Sequence, residues 1–292
     1  MRVVRLRAQG GPEQLAVEEA DRPRPGPAEA LVRVHAAAIT RNELEWPVDR
    51  LPAIPSYELS GVVEEAGPEA VGLAAGDEVF ALTPFDRDGV AADYAALPAE
   101  QLVARPQALA HAQSAAIPLP ALTAWQGLFD HGRLAAGERV MIHGAGGSVG
   151  GFAVQLARAG GAHVVGTASA ADLDRVRELG AHEAIDAATR FEAAAEPVDV
   201  VFDTVGGERL QRSVAVLRHG GRLVSVAEQP PAGGVYFVVE PNRDQLTSVA
   251  RLVEAGELRA PSVETFPLTS AREAFARSLE PGRRGKIVLT VA

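Results

Sequence analysis

Alternating apolar and polar positions dominate the first hundred residues. Runs such as VVRLRA, QLAVEEA and EALVRVHAAAI are separated by GGPE, DRPRPGP and AGPEAVG. Period-two runs bounded by Gly, Pro and Asp clusters read as strands and turns, and SGVVEEAG and GDEVFALTP continue the series. This stretch is predicted to be a β-rich module. Near residue 111 the period changes. HAQSAAI and ALTAWQGLFDHG carry helical spacing, with Pro118 and Pro120 read as breaks between them. Strand-like RVMIHGA then precedes the helix SVGGFAVQLARAG, and AHVVGTAS precedes ADLDRVRELG. VDVVFDTV precedes the helix GERLQRSVAVLRHG, and GRLVSVA and VYFVVE follow as strands. Strands alternating with helices predict parallel βαβ units with right-handed crossovers. The helix DQLTSVARLVEAGEL and the helix-strand pair SAREAFARSL and GKIVLTV close the chain.

The turn behind the apolar run RVMIH is rich in glycine, with Gly144, Gly147 and Gly150 at a spacing of three. Between a strand and an amphipathic helix, the first glycine permits a tight turn and the second lets backbone approach a pyrophosphate. The third allows close helix–strand packing. The helix beginning at Ser148 and Val149 presents unpaired N–H groups to the phosphates. A dinucleotide needs that space. A rival reading takes Gly146-Gly147-Ser148-Val149-Gly150 as the G-x-S-x-G elbow of a serine hydrolase, with Asp203 and His219 following in triad order. The β-rich segment ahead of the loop and the lack of an upstream HGGG stretch weigh against it. The second strand ends Val165-Gly166-Thr167-Ala168-Ser169 without the carboxylate that holds a ribose 2′-hydroxyl. Ser169 leaves room for a 2′-phosphate, so the expected coenzyme is NADP(H). Arg175 and Arg177 on the next helix read as a solvated face.

Length and composition narrow the partners. The chain's 292 residues suit two domains. A net charge of −10 disfavours a nucleic-acid partner, whose affinity rests on clustered cations. With no cysteine there is no disulfide, thiolate nucleophile or sulfur-ligated zinc. No apolar run is long enough to span a membrane, and the N-terminus lacks a secretory h-region, so a cytoplasmic protein is expected. His35 and His143 lie on predicted strands and read as packed residues, since no HxxxH or HExxH spacing occurs.

GGPEQLAVEE, ALVRVHAAAIT, SGVVEEAG, GDEVFALTPF, AAIPLPALTAWQGLF, IHGAGGSVGGFAVQLARAGGAHVVGTAS, ELGAHEAID, VDVVFDTVGG, GGRLVSVA and GKIVL together cover nearly the whole chain. In them the sequence resembles the zinc-independent medium-chain dehydrogenases/reductases of the quinone oxidoreductase (zeta-crystallin-like) branch. The resemblance implies an α/β fold: a GroES-like β-rich catalytic domain from both chain ends (1–115 and 258–292) and a Rossmann doubly wound parallel sheet between them (116–257). It implies an active site in the cleft and reduction of quinones, or of the C=C bond of α,β-unsaturated carbonyls, by hydride from NADPH. It implies a homodimer through the Rossmann edge strand 235–239. Carried over residue by residue, Gly147, Ser148 and Val149 would meet the pyrophosphate and Ser169 the 2′-phosphate. Thr123, Asp203, Thr204 and Val205 would lie on the nicotinamide side, with Phe237, Val238 and Val239 over the carboxamide. The sequence departs from the relatives at ITRNE, where Thr40 and Glu43 replace an asparagine and an aspartate, and Asn42 lies two residues on. The following loop, LEWPVDRLPAIPSYELSG, is shortened and carries Trp46, which could stack on a planar substrate. The lysine and tyrosine that usually grip a 2′-phosphate are replaced by Asp172 and Ala187. Ser56-Tyr57-Glu58 stands where zinc-dependent cousins have GHE, so no metal is expected. Tyr57 is the leading candidate for proton donor, with Glu43 behind it. A non-redox biosynthetic step such as a cyclisation, or a non-catalytic nucleotide-binding role, are the other readings.

Overall fold

The computed structural model describes residues 1–47, 50–231 and 233–291. Its strands are β1 (Arg2–Leu6), β2 (Leu15–Glu19), β3 (Glu29–Ile39), β4 (Glu58–Ala66), β5 (Glu78–Leu82), β6 (Tyr94–Pro98) and β7 (Val103–Ala104). They continue as β8 (Arg139–His143), β9 (His163–Ala168), β10 (Glu183–Asp186), β11 (Val198–Asp203), β12 (Leu217–Ser225), β13 (Val235–Tyr236), β14 (Val263–Pro267) and β15 (Lys286–Thr290). The helices are α1 (His111–Ala115), α2 (Pro118–Trp125), α3 (Ser148–Ala159), α4 (Leu173–Glu178), α5 (Phe191–Ala194), α6 (Gly207–Arg212), α7 (Arg243–Glu254) and α8 (Ala271–Leu279). The chain forms two compact units. The first joins Met1–Leu119, Pro241–Ala255 and Ala260–Ala292; the second joins Pro120–Glu240 and Gly256–Arg259. Among the described residues no helix is long and apolar enough to cross a membrane.

In the first unit a seven-stranded sheet runs β14-β15-β3-β4-β5-β7, with β6 also paired to β3, beside the hairpin β1-β2. Strand β3 pairs with β15, β4 and β6, and its apolar residues reach a core that includes Val32, Leu59, Phe275 and Leu289. Strand β15 lies antiparallel to β3, with Ile287 opposite Ile39, and Ala38 faces Glu58 on β4. That register brings Lys286, Thr40 and Glu58 to one end of three neighbouring strands. Helix α7 groups with this unit, although the helical pattern following the last predicted βα strand reads as part of the Rossmann segment. Its buried face of Leu246, Val249, Ala250 and Val253 packs beside β7. Amphipathic spacing shows that a helix has a buried face but not which sheet receives it.

In the second unit six parallel strands run β10-β9-β8-β11-β12-β13. In that unit's own order this is 3-2-1-4-5-6, the doubly wound arrangement that opens a crevice where the order reverses, between β8 and β11. Three expectations change. Pro118 and Pro120 begin α2 rather than break it, occupying a first turn whose N–H groups need no helical partner. The segment expected to continue α6 as helix turns at Ser213–Val216 and enters β12 at Leu217, opposite Val198. Gly220, at φ +78°, and a register shift absorb the irregularity. Here pairing with the neighbouring strand outweighs helical spacing. The edge strand expected over 235–239 is confined to Val235–Tyr236, and beyond it only the Phe237 N–H reaches the sheet, donating to the Ser225 carbonyl at 3.3 Å.

Candidate functional site

The crevice in the second unit is built from backbone. Gly144 leaves β8 at φ +76°, a left-handed conformation that glycine adopts without penalty. A side chain there would strike Thr204 and stand 2.9 Å from Val205 Cγ2, so the turns after β8 and β11 touch across the point where strand order reverses. A Cβ on Gly150 would collide with the Gly144 carbonyl and lie 2.8 Å from Ala145 Cα. Close packing of α3 on its turn therefore requires glycine at 150. Gly147 caps α3 in extended conformation and is exposed, and Ser148 and Val149 behind it are half-buried, so the helix's first N–H groups face outward. Thr204 donates to the His143 carbonyl at 2.8 Å, holding the second turn against the first. The bare loop, the helix N-terminus and the neighbouring turn fit a dinucleotide diphosphate, which needs close main chain and positive dipole.

The remaining residues predicted for this half divide into exposed and enclosed groups. Val205 is exposed at 47% and Val238 at 58%, whereas Thr123, Phe237 and Val239 are buried. Phe237 packs on His131 at 4.4 Å. The Gln126 amide clamps the segment behind them, donating to the Glu240 carbonyl at 2.8 Å and accepting from its N–H at 3.1 Å. Asp203 is fully buried and turned inward. Its carboxylate accepts from Gly206 N–H at 2.9 Å, Val205 N–H at 3.3 Å and the Ser225 hydroxyl at 2.9 Å, and burial raises its pKa. It shapes the turn that carries Thr204 and Val205. His219 lies near the start of β12, at the opposite end of the parallel sheet from Ser225 and Asp203, and Ser148 follows the Asp203 end. The Ser148–Asp203–His219 triad of the hydrolase reading does not assemble. His143 is a satisfied core histidine, paired with the hydroxyls of Thr167 and Ser213 at 2.9 Å each, and burial lowers its pKa to about 3.

The first unit holds a second cluster around Thr40. Glu43 is enclosed, its two carboxyl oxygens accepting from Thr40 N–H at 2.7 Å and Ser56 N–H at 2.9 Å. Burial pushes its pKa up to about 8. Asn42, at φ +63°, turns the chain into this arrangement. The Thr40 hydroxyl donates to Glu58 at 3.3 Å and accepts from Lys286 Nζ at 3.1 Å, and Lys286 also pairs directly with Glu58. Leu119 N–H donates to the other Glu58 oxygen at 2.9 Å. Burial raises the Glu58 carboxyl above its usual range while Lys286 draws it down. Sequence reading misses this pair. One signal was available: Lys286 is the only lysine among 28 basic Lys and Arg residues, and it opens the apolar strand β15. Beside the pair, Ser56 is held at φ +66°, which explains glycine at the equivalent place in GHE. Tyr57 is 8% exposed, stacked on Trp46 at 6.0 Å and edge-on to Phe85 at 5.1 Å, and burial raises its phenol. Val48 and Asp49 of the shortened loop lie outside the described residues.

Comparison with known proteins agrees with this architecture. Residues 26–107 match the alcohol dehydrogenase GroES-like domain, and residues 179–289 match a zinc-binding dehydrogenase model. A probable mitochondrial zinc-binding oxidoreductase of Arthroderma benhamiae is 33% identical, the alignment covering 92% of each chain. An NADPH-dependent alkenal/one oxidoreductase of Arabidopsis thaliana chloroplasts is 31% identical over 89% of this chain and 72% of that one. The quinone oxidoreductase of Coxiella burnetii superimposes with a TM-score of 0.92 at 27% identity, covering 100% of this chain and 99% of the other. Glycine cradle, strand order and β-rich partner unit together define an oxidoreductase of the dinucleotide-dependent type. The chain belongs to the medium-chain dehydrogenase/reductase family, in its quinone oxidoreductase branch. The donor set does not fit the zinc in some of these names. Cysteine is missing from the sequence, Tyr57 is packed among rings, and Glu58 is taken by Lys286. Among the described residues no three His, Cys, Asp or Glu side chains could hold a metal ion.

Proposed function

We propose that this oxidoreductase reduces quinones or the C=C bond of α,β-unsaturated carbonyls, using a nicotinamide dinucleotide and no metal. The observation that carries the reading is the turn around Gly144, Gly147 and Gly150: glycine is required at 144 and 150 by close packing, and Gly147 leaves the amino end of α3 as bare, exposed main chain suited to a diphosphate. The bound coenzyme supplies the hydride. The protein's part is to hold the donor and acceptor close, exclude water and provide a proton. Thr204, Val205 and the clamped 237–239 segment form the wall on the nicotinamide side. Reduction of an enone places hydride on the β-carbon and requires a proton at the α-carbon. Tyr57 is the proposed donor: its raised pKa keeps the phenol protonated at neutral pH, and Trp46 and Phe85 hold the ring. Trp46 and Phe85 also offer aromatic surface suited to a planar conjugated acceptor. Glu43 and Thr40 are positioning residues, since their polar atoms are already engaged.

The test is coenzyme oxidation with a panel of 1,4-quinones and 2-alkenals. Turnover with at least one acceptor is expected, and Tyr57→Phe should lower kcat roughly 10²-fold with little change in KM. Absence of turnover across the panel removes the activity, and an unchanged kcat in Tyr57→Phe removes that residue's role. The exposed apolar edge of Val235, Tyr236 and Val238 supports pairing of two copies of the chain. A monomer mass by light scattering would exclude such a dimer.

A further inference from the structure

We infer that the π-helical turn Gln126–His131 holds the nicotinamide wall in place, with Gln126 and His131 as positioning residues for hydride transfer. The inference rests on the oxidoreductase reading above, in which the segment after β13 flanks the nicotinamide.

Beyond Tyr236 that segment leaves the sheet. Its last backbone bond to β12 runs from Phe237 N–H to the Ser225 carbonyl at 3.3 Å. Among the described residues, the N–H groups of Val238 and Val239 and the carbonyls of Phe237, Val238 and Val239 have no hydrogen-bond partner. The π turn holds this unpaired stretch at two points. The Gln126 side chain takes both backbone groups of Glu240, donating to its carbonyl at 2.8 Å and accepting from its N–H at 3.1 Å. A primary amide carries the same donor and acceptor as a peptide group, so Gln126 replaces the strand partner that this edge lacks. Five residues along the turn, the His131 ring packs on the Phe237 ring at 4.4 Å. One turn therefore pins both ends of segment 237–240.

An α-helix would not do this. At about 3.6 residues per turn, side chains five residues apart point roughly 140° away from each other. Bonding from each carbonyl to the fifth N–H along widens the turn and returns them to one face. Two glycines permit the widening. Gly132 N–H donates to the Gly127 carbonyl at 3.0 Å, and a Cβ on Gly132 would stand 2.7 Å from the carbonyl oxygens of both Gly127 and Leu128. A Cβ on Gly127 would collide with the Phe202 ring, so the turn seats directly on β11, the strand that leads into Thr204 and Val205. Arg222 on β12 donates to the Gly132 carbonyl at 2.8 Å and ties the end of the turn to the sheet. Both parts of the wall, the turn after β11 and segment 237–240, are thus set against one π turn. With the wall fixed, the nicotinamide ring can present only one face to the acceptor. With segment 237–240 released, the ring can rotate and present the other.

The experiment uses the full chain, an acceptor from the quinone and alkenal panel that the wild type reduces, and coenzyme deuterated at one or the other C4 position. The mass of the oxidised coenzyme shows which hydrogen has left. The wild type should remove only one of the two. Gln126→Leu, which keeps the bulk and removes both bonds to Glu240, should lower kcat about tenfold or more with little change in the acceptor KM. It should also draw a measurable part of the hydride from the second position. His131→Ala should act in the same direction, and His131→Phe, which restores a ring against Phe237, should recover single-face transfer. Thermal melting establishes that each variant is folded, and either release variant suffices if the other is not. Transfer from both positions by the wild type overturns the inference. So does strict single-face transfer in a folded Gln126→Leu or His131→Ala variant, whether or not kcat falls. If the wild type oxidises the coenzyme with no acceptor in the panel, the oxidoreductase reading fails and this inference with it. Wild-type turnover with variants that keep one face defeats the inference alone.

Discussion

At the scale of single residues, the two buried carboxyls of the first unit make separable predictions. Glu58 and Lys286 form a buried ion pair, and removing one partner from such a pair strands the other. Lys286→Met should cost about 3–5 kcal/mol in stability, and adding Glu58→Gln should recover much of it. Urea denaturation of the two variants checks this, and a cost below about 1 kcal/mol for Lys286→Met would contradict it. Glu43 acts through pH. Its folded pKa is about 8 against an ordinary 4.5, so the unfolded chain gives up this proton well before the folded one does. This group's contribution to stability therefore falls as pH rises between those values. Glu43→Gln should flatten that part of the stability–pH profile. It also costs about 1–3 kcal/mol at low pH, because an amide has one acceptor oxygen for the two N–H groups of Thr40 and Ser56. A profile equally steep in the variant would assign the slope to another group.

At the scale of elements, the turn from β8 into α3 is the most exacting piece of the fold. Gly150→Ala places a methyl against the Gly144 carbonyl and should destabilise by about 1–3 kcal/mol. It should also weaken coenzyme binding, because the turn must open for the helix to move. Thermal melting and calorimetry together check it, and a variant with wild-type melting and wild-type affinity would show the contact to be soft. This turn was legible in the sequence because its requirement is local: a strand, three glycines and a helix lie within a dozen residues. The Asp172 carboxylate that accepts the Ser169 hydroxyl at 2.6 Å was less legible, since it reaches the end of β9 only by the tight turn that follows Ser169. The Glu58–Lys286 pair was not legible at all. The two residues are 228 positions apart, and only the β15-β3-β4 register joins them. The end of α6 was misread for a related reason, because pairing of the following segment with β11 is not encoded in local spacing.

At the scale of the whole molecule, the parallel unit supplies a backbone cradle and the β-rich unit supplies an enclosed polar cluster beside three aromatic rings. The central claim is hydride transfer from a nicotinamide to a conjugated acceptor. Its most direct test is to incubate the full chain with a 2-alkenal and a reduced nicotinamide coenzyme deuterated on the transferred position, then locate the label in the product by NMR. The account predicts deuterium on the β-carbon and solvent hydrogen on the α-carbon of a saturated aldehyde. Label lost to solvent while the alkenal is reduced, or no turnover of any quinone or alkenal while coenzyme is bound, would contradict it.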